Sequence, residues 1–287
     1  MKFELEDFSY EEHIFQFQDL SFSYIDSCLN KSLPALLFIH GNPTSKEIWF
    51  PLIQELKSHF RCIAIDLFPK EDFHADEIAD LSYSSELIHS FLDALTIKQT
   101  DVIVHDWGGC ILLNLLHKKS EIFKKIIFFE CLLYPVTFKN NFLVPYLLFL
   151  LGRTPFIGKL LLVRFNFFVK YLFPIGSKSK VGKSFQDFYL NLYSSSFKRE
   201  MVFQWVHNIP FRDSENLSSQ RKNFFKSTHK KLFFYAKPGL ALKSRSINHI
   251  KSECDNLTAV DLKGGIHYFT FHHSEKMSVE IKKFLSK

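Results

Sequence analysis

A carboxylate stands at the centre of a predicted strand-to-helix turn in residues 101–110, whose sequence is DVIVHDWGGC. Residues rich in β-branched side chains precede the turn, and an apolar run at residues 111–116 follows it. Asp106 therefore takes the position at which most enzymes with such a turn carry a serine. A carboxylate there can displace a leaving group from a saturated carbon and form an ester that water then hydrolyses. Asp106 is the candidate nucleophile.

A histidine and a second acid could complete the chemistry. His267 follows Gly264 and Gly265 after the last predicted strand. Glu130 comes directly after a predicted strand at residues 124–129, whereas the stretch behind the next strand, residues 235–242, contains no carboxylate. The chain order of nucleophile, acid and histidine base matches the triad logic in which the acid orients the base. The sequence therefore predicts a triad of Asp106, Glu130 and His267.

Alternating strands and helices must position these residues. Residues 13–26 alternate as a hairpin does, and apolar or β-branched runs predict further strands at residues 35–39, 61–67, 101–104, 124–129, 230–236 and 257–262. Helical spacing of apolar residues predicts helices at residues 48–56, 77–95 and 277–285. Strands that alternate with helices indicate an α/β fold with a mostly parallel central sheet flanked by helices.

The carboxyl ends of the predicted strands carry the candidate residues. A Gly-rich turn containing Asn42 follows the strand at residues 35–39, and the three triad candidates follow later strands. In a parallel sheet these ends lie along one edge, where α/β proteins bind their ligands. We therefore expect residues that are distant in sequence to converge at one site.

A change of character divides the chain. From residue 132 to about Pro210 we find no convincing buried strand, only Phe-rich and Leu-rich helical stretches broken by proline and glycine. We expect an inserted helical cap at residues 132–214, between core segments at residues 1–131 and 215–287.

Composition narrows the class of protein. Hydrophobic residues make up 46% of the 287 residues and the net charge is only +6, so a large core is expected and a dedicated nucleic-acid surface is not. Five cysteines without a C-x-x-C pair indicate neither a disulfide framework nor a metal site.

The longest apolar run, residues 142–151, falls short of the about 20 residues that cross a bilayer. With no secretory signal visible, we predict a cytoplasmic protein without a stable membrane span.

Taken together, these motifs resemble the haloalkane dehalogenases of the α/β-hydrolase superfamily, in the branch that places its catalytic Glu before the cap. The resemblance rests on the sequences HGNPT at 40–44 with Trp49 after it, HDWG at 105–108, Glu130 at a strand end and GIHY at 265–268, and it covers nearly the whole chain. The cap stretch NFFV at 166–169 is also similar to that family's cap.

The resemblance implies an α/β-hydrolase fold with a helical cap, no cofactor, and a role for each matching residue. Asp106 would be the nucleophile, His267 the base and Glu130 the acid. Asn42 and Trp107 would bind the departing halide, and Phe168 would contact the substrate. The implied partners are a small apolar halogenated substrate, water and a halide ion, and the chain would be a monomer or a small homo-oligomer.

Three other functions fit parts of the sequence. Epoxide hydrolases use a similar Asp turn but need cap tyrosines, for which Tyr189 and Tyr193 are candidates. A β-lactone decarboxylase of long-chain olefin synthesis has a similar active site and would suit the apolar cap. A binding protein on the same scaffold would be expected to lose part of the triad, which this chain retains.

Overall fold

One eight-stranded sheet organises the protein. The computed structural model describes residues 2–28, 32–118, 120–178, 180–209 and 214–286. The strand order is β1-β2-β4-β3-β5-β6-β7-β8. The strands are β1 (Glu12–Phe17), β2 (Leu20–Asp26), β3 (Ala35–Ile39), β4 (Arg61–Ile65), β5 (Thr100–His105), β6 (Phe123–Phe129), β7 (Lys230–Tyr235) and β8 (Leu257–Asp261).

The direction of the strands agrees with the predicted fold class. β1 pairs with β2, and β2 with β4, in antiparallel fashion. All the remaining neighbours, from β4 to β8, are parallel. The α/β fold with a mostly parallel central sheet that the sequence predicted is therefore confirmed, with a hairpin at one edge.

Helices cover both faces of this sheet. The α-helices are α1 (Phe50–Leu56), α2 (Ala75–Ile78), α3 (Leu81–Ala94), α4 (Trp107–Lys118), α5 (Leu143–Gly152), α6 (Pro155–Gly158), α7 (Phe173–Gly176), α8 (Lys183–Leu192), α9 (Ser196–Asn208), α10 (Glu215–Lys226), α11 (Ser244–Glu253) and α12 (Thr270–Leu285). Short 3₁₀ helices span Leu5–Asp7, Lys46–Trp49 and Ser120–Ile122, and π-helical segments span Lys159–Arg164 and Phe168–Leu172.

The strands have apolar side chains on both faces because each face packs against helices. In β3, Leu37 and Ile39 join one hydrophobic cluster, whereas Leu36 and Phe38 join the other. All four are fully buried. Continuous apolar runs in the sequence were therefore sound evidence for the central strands.

Two predicted helices differ in the structure. The helix expected at residues 77–95 is broken into α2 and α3, because the Asp80 carboxylate accepts hydrogen bonds from the backbone N–H groups of Ser82 and Tyr83 and caps α3. The final helix begins at Thr270, not at residue 277, and has a kink at His273. Side-chain capping and tertiary packing set these ends more strongly than apolar periodicity did.

Residues between β6 and β7 are helical wherever they form regular structure in the described ranges. No strand of the sheet lies within the described residues of 132–209, although Val181 forms an isolated bridge with Phe3. Pro210 and residues 211–213, where we expected the cap to return to the core, lie outside the described residues. The division into a core and a cap at residues 132–214 stays a prediction.

No single helix in the described ranges meets the length and hydropathy expected of a membrane span. Within the same ranges, one pair of helices, Leu143–Gly152 and Pro155–Arg164, meets these criteria together, and its two halves are bent by 94°.

Candidate active site

Asp106 lies at the junction of β5 and α4 in a left-handed backbone conformation. Its φ angle is +52°, and only 7% of the residue is exposed. Such a conformation costs a non-glycine residue of order 1–3 kcal/mol and persists only where the surrounding structure imposes it. Gly108 allows α4 to approach β3 closely, because a Cβ at this position would come within 2.5 Å of the Ile39 carbonyl oxygen. The tight packing of α4 against β3 therefore holds Asp106 at the edge of the sheet.

The two carboxylate oxygens of Asp106 have different surroundings. Oδ1 accepts a hydrogen bond of 2.8 Å from the backbone N–H of Asn42. Oδ2 lies 3.5 Å from Nε2 of His267. If Asp106 forms an ester through Oδ2, the Asn42 N–H already points at the oxygen that becomes negative when water attacks. The turn after β3 thus places a backbone N–H donor at Oδ1.

Glu130 and His267 are in contact, as the triad prediction requires. The Glu130 residue is buried at the end of β6 with a φ angle of +47°. Its Oε2 lies 3.2 Å from Nδ1 of His267 and also accepts hydrogen bonds from the backbone N–H groups of Leu240 and Ala241, at 2.8 and 2.7 Å. Because Oε2 of Glu130 can only accept hydrogen bonds, Nδ1 of His267 must donate to it. The imidazole is thereby oriented with Nε2 toward Asp106.

The charge state of His267 depends on both acids. Burial lowers the pKa of His267, but hydrogen bonds and charge interactions with Asp106 and Glu130 outweigh it and raise the pKa to about 9. In the free protein at neutral pH the imidazole is therefore protonated and paired with Asp106. Forming an ester would neutralise Asp106 and remove one of these influences, so the pKa of His267 should fall when a base is needed.

A second histidine has a supporting role. His40 is fully buried, its Nδ1 donates to the Gly41 carbonyl at 2.8 Å, and its Nε2 accepts from the Leu67 backbone N–H at 3.0 Å. Burial lowers the pKa of His40 to about 4, so it is neutral. His40 therefore ties the turn that carries Asn42 to the chain just after β4.

An apolar cavity of about 180 Å³ lies over Asp106. Asn42, Asp106 and His267 contribute polar groups to its wall, and Phe168 also lines it. The apolar lining includes Leu132, Val136, Leu148, Phe149, Leu162 and Val206. A cavity of about 150 Å³ holds a benzene molecule, so this one suits a ligand of roughly six or seven non-hydrogen atoms.

The two residues predicted to bind halide differ in their contacts. Asn42 lines the cavity, and its side-chain amide donates one hydrogen bond of 3.1 Å to the Val202 carbonyl of α9. An amide nitrogen carries a second hydrogen that can serve a ligand. Trp107 does not line the cavity, but its buried indole N–H has no hydrogen-bond partner within the described part of the chain.

The two tyrosines that an epoxide hydrolase would need lie away from the cavity over Asp106. Tyr189 and Tyr193 are fully buried, and neither lines the cavity over Asp106. The Tyr193 hydroxyl donates to the Thr44 carbonyl at 3.5 Å. The tyrosine that lines the cavity is Tyr268, which the sequence offered only as part of the GIHY motif.

Sequence reasoning missed other contributors to the site. The N–H groups of Leu240 and Ala241 that donate to Glu130 belong to the backbone. Every residue except proline has such a group, so residue type could not reveal them. The residues of the cavity wall that lie between β6 and β7 were recognisable only as apolar. For Tyr268, its position beside His267 was the available signal.

Comparison with known proteins agrees with this geometry. A family profile described as alpha/beta hydrolase fold matches residues 34–170. A haloalkane dehalogenase of Mesorhizobium japonicum is 25% identical over 276 residues, which cover 93% of this chain and 88% of that protein. The crystal structure of haloalkane dehalogenase DbeA from Bradyrhizobium elkani has a TM-score of 0.89 at 19% identity, over 97% of this chain and 98% of that one.

One relative carries a different name. A cis-3-alkyl-4-alkyloxetan-2-one decarboxylase of Shewanella oneidensis is 24% identical over 189 residues, which cover 63% of this chain and 58% of that protein. This match is shorter than the match to the M. japonicum dehalogenase. Together, the family profile and the dehalogenase relatives support placing the chain in the haloalkane dehalogenase family of the α/β-hydrolase superfamily.

Proposed function

We propose that this protein hydrolyses the carbon–halogen bond of small haloalkanes to give an alcohol and a halide ion. The observation that carries the proposal is a buried carboxylate, Asp106, that faces an apolar cavity and has His267 against one of its oxygens. An apolar wall suits an alkyl chain, and a carboxylate suits attack on a saturated carbon.

The first step forms an ester. Oδ2 of Asp106 attacks the carbon that bears the halogen, the new C–O bond forms as the carbon–halogen bond breaks, and the halide leaves with the bonding electrons. The indole N–H of Trp107 and the second amide hydrogen of Asn42 would bind the halide. Neutral donors stabilise a departing anion without holding it as tightly as a cation would.

The second step releases the alcohol. With Asp106 esterified, His267 accepts a proton from a water molecule, whose oxygen adds to the carbonyl carbon of the ester. The backbone N–H of Asn42 stabilises the negative charge on Oδ1. Collapse of this intermediate breaks the bond between the carboxyl carbon and the ester oxygen Oδ2. The alcohol leaves with Oδ2 and with the proton that His267 accepted. The oxygen from water stays on Asp106, and its remaining proton passes to His267 as the carboxylate returns.

Three substrate classes tested side by side would decide the function. We expect the purified protein to release bromide from bromobutane and bromohexane, and more slowly from bromodecane, because the cavity is small. Epoxyhexane and a dialkyl β-lactone should remain unchanged. Bromide is measured by ion chromatography and the other products by gas chromatography. Consumption of the epoxide or the lactone, without bromide release from any alkane, would replace this proposal with the corresponding alternative.

The backbone at Gly41 should be essential for placing the nucleophile. A Cβ at Gly41 would overlap Cβ and Oδ1 of Asp106. Gly41→Ala should therefore displace the carboxylate, and a shift of about 1 Å can cost about a hundredfold in rate. We expect kcat/KM for bromobutane to fall at least tenfold, with thermal unfolding measured to show that the fold persists. A folded Gly41→Ala protein with unchanged kcat/KM would contradict the observed closeness of the two residues.

A further inference from the structure

Large hydrophobic side chains are exposed mainly in one region of the protein. Of the fifteen that are well exposed in the described ranges, twelve lie in residues 138–175. Val144 is 65% exposed and Phe156 is 90% exposed. Single exposed hydrophobic residues are normal, but a concentration of them marks a surface that contacts another apolar phase. We call the exposed side chains of Leu143, Val144, Leu147, Leu151, Phe156 and Ile157 the outer cap surface.

Helix α5 presents apolar residues in two opposite directions. Leu143, Val144, Leu147 and Leu151 are exposed and lie on one side at helical spacing. The other side, with Pro145, Leu148, Phe149 and Gly152, lines the cavity over Asp106. The helix contains no charged residue. A surface helix in water is normally polar on its outer side, so the exposed side of α5 is suited to an apolar environment.

The next helical segment continues this surface. Phe156 and Ile157 of α6 are exposed, and the π-helical Lys159–Arg164 follows directly. The pair from Leu143 to Arg164 has the composition of a membrane span but is bent by 94°. The bend is packed, since a Cβ at Gly158 would overlap the Gly152 carbonyl. A bent apolar pair with a packed bend suits the surface of a bilayer better than a crossing of it.

The charged residues in the sequence of this region are all basic. Residues 131–186 contain eight lysines and arginines and no aspartate or glutamate, although the whole chain has 36 basic and 30 acidic residues. Lys139, Lys159, Arg164, Lys170 and Lys178 are exposed in this stretch of the chain, and Lys159 is paired with Glu200 of α9. A second copy of the chain on this surface would bring like charges together. An anionic lipid surface supplies both the apolar phase and the opposite charge.

We propose that the outer cap surface docks on bilayers that contain anionic phospholipids. The apolar side chains enter the boundary between headgroups and acyl chains, and the surrounding lysines and arginines lie near the lipid phosphates. The cavity then lies directly behind α5, on the side of the protein that faces the lipid. The docking itself does not depend on the reaction proposed above.

Vesicle flotation tests the docking directly. We expect the full-length protein to float with phosphatidylcholine vesicles that contain phosphatidylglycerol, and to do so less with phosphatidylcholine alone or at high salt. The double variant Val144→Gln/Phe156→Gln should bind at least about tenfold more weakly, because both side chains would leave an apolar phase. Val279→Gln is the matched control, since Val279 is 59% exposed on α12 and should leave binding unchanged.

Three outcomes would overturn the proposal. The first is no flotation with the anionic vesicles at low salt, and the second is an equal loss of binding in Val279→Gln. The third is self-association of the wild type in the absence of lipid that the double variant abolishes, without vesicle binding, which would make this surface an interface between copies. Because vesicle binding is the readout, these outcomes are distinct from a failure to release bromide.

Discussion

His267→Phe is expected to release about one bromide ion per protein molecule from bromobutane and then to stop, with the butyl group attached to Asp106. The first step uses the Asp106 carboxylate and the halide donors, whereas ester hydrolysis needs the proton acceptor that Nε2 of His267 provides. Steady-state turnover should fall at least about a thousandfold. Rapid-mixing measurement of bromide and mass spectrometry of the peptide that contains Asp106 check both parts.

Two controls make this experiment specific. His117→Phe, at the exposed C-terminal end of α4, should turn over like the wild type. His267→Phe/Asp106→Ala should give neither a burst nor an adduct. Normal turnover in His267→Phe would exclude His267 as the base, and an adduct on a different peptide would exclude Asp106 as the nucleophile.

Glu130→Gln is expected to leave bromide release in the first turnover nearly unchanged and to slow ester hydrolysis by about a hundredfold. One oxygen of Glu130 receives the N–H groups of Leu240, Ala241 and His267. The carbonyl oxygen of a glutamine can take the same place, so the variant loses the negative charge but retains the orientation of the imidazole. Glu130→Leu loses both, and its hydrolysis should be slower still.

The charge change in Glu130→Gln should also appear in the titration of His267. The neighbouring carboxylates favour the protonated imidazole and raise the pKa to about 9, so removing one of them must lower the pKa. The variant should therefore lose the His267 proton at a lower pH than the wild type, as NMR of the imidazole nitrogens can show. Glu200→Gln, which alters an acid of α9 that is paired with Lys159, is the control. Unchanged turnover in Glu130→Gln would remove Glu130 from the mechanism.

The sequence by itself determined the architecture and the chemical groups. Continuous apolar runs predicted the central strands because those strands are buried on both faces, as Leu36 to Ile39 show. The turn around Asp106 was recognisable because a strand, a tight turn and a helix each leave a local pattern. The absence of a carboxylate behind β7 favoured Glu130, and the structure places Glu130 beside His267.

Only the tertiary structure decided how these groups meet. Asp80 divided one predicted helix in two by capping the start of α3, and Tyr189 and Tyr193 proved to lie away from the cavity. Both faces of α5 are apolar in sequence, so only the packing shows that one lines the cavity and the other is exposed. The raised pKa of His267 likewise depends on distances of 3.2 and 3.5 Å to two acids far away in the chain. Periodicity reports whether a residue is buried, but distances between remote residues arise only when the sheet and its helices pack together.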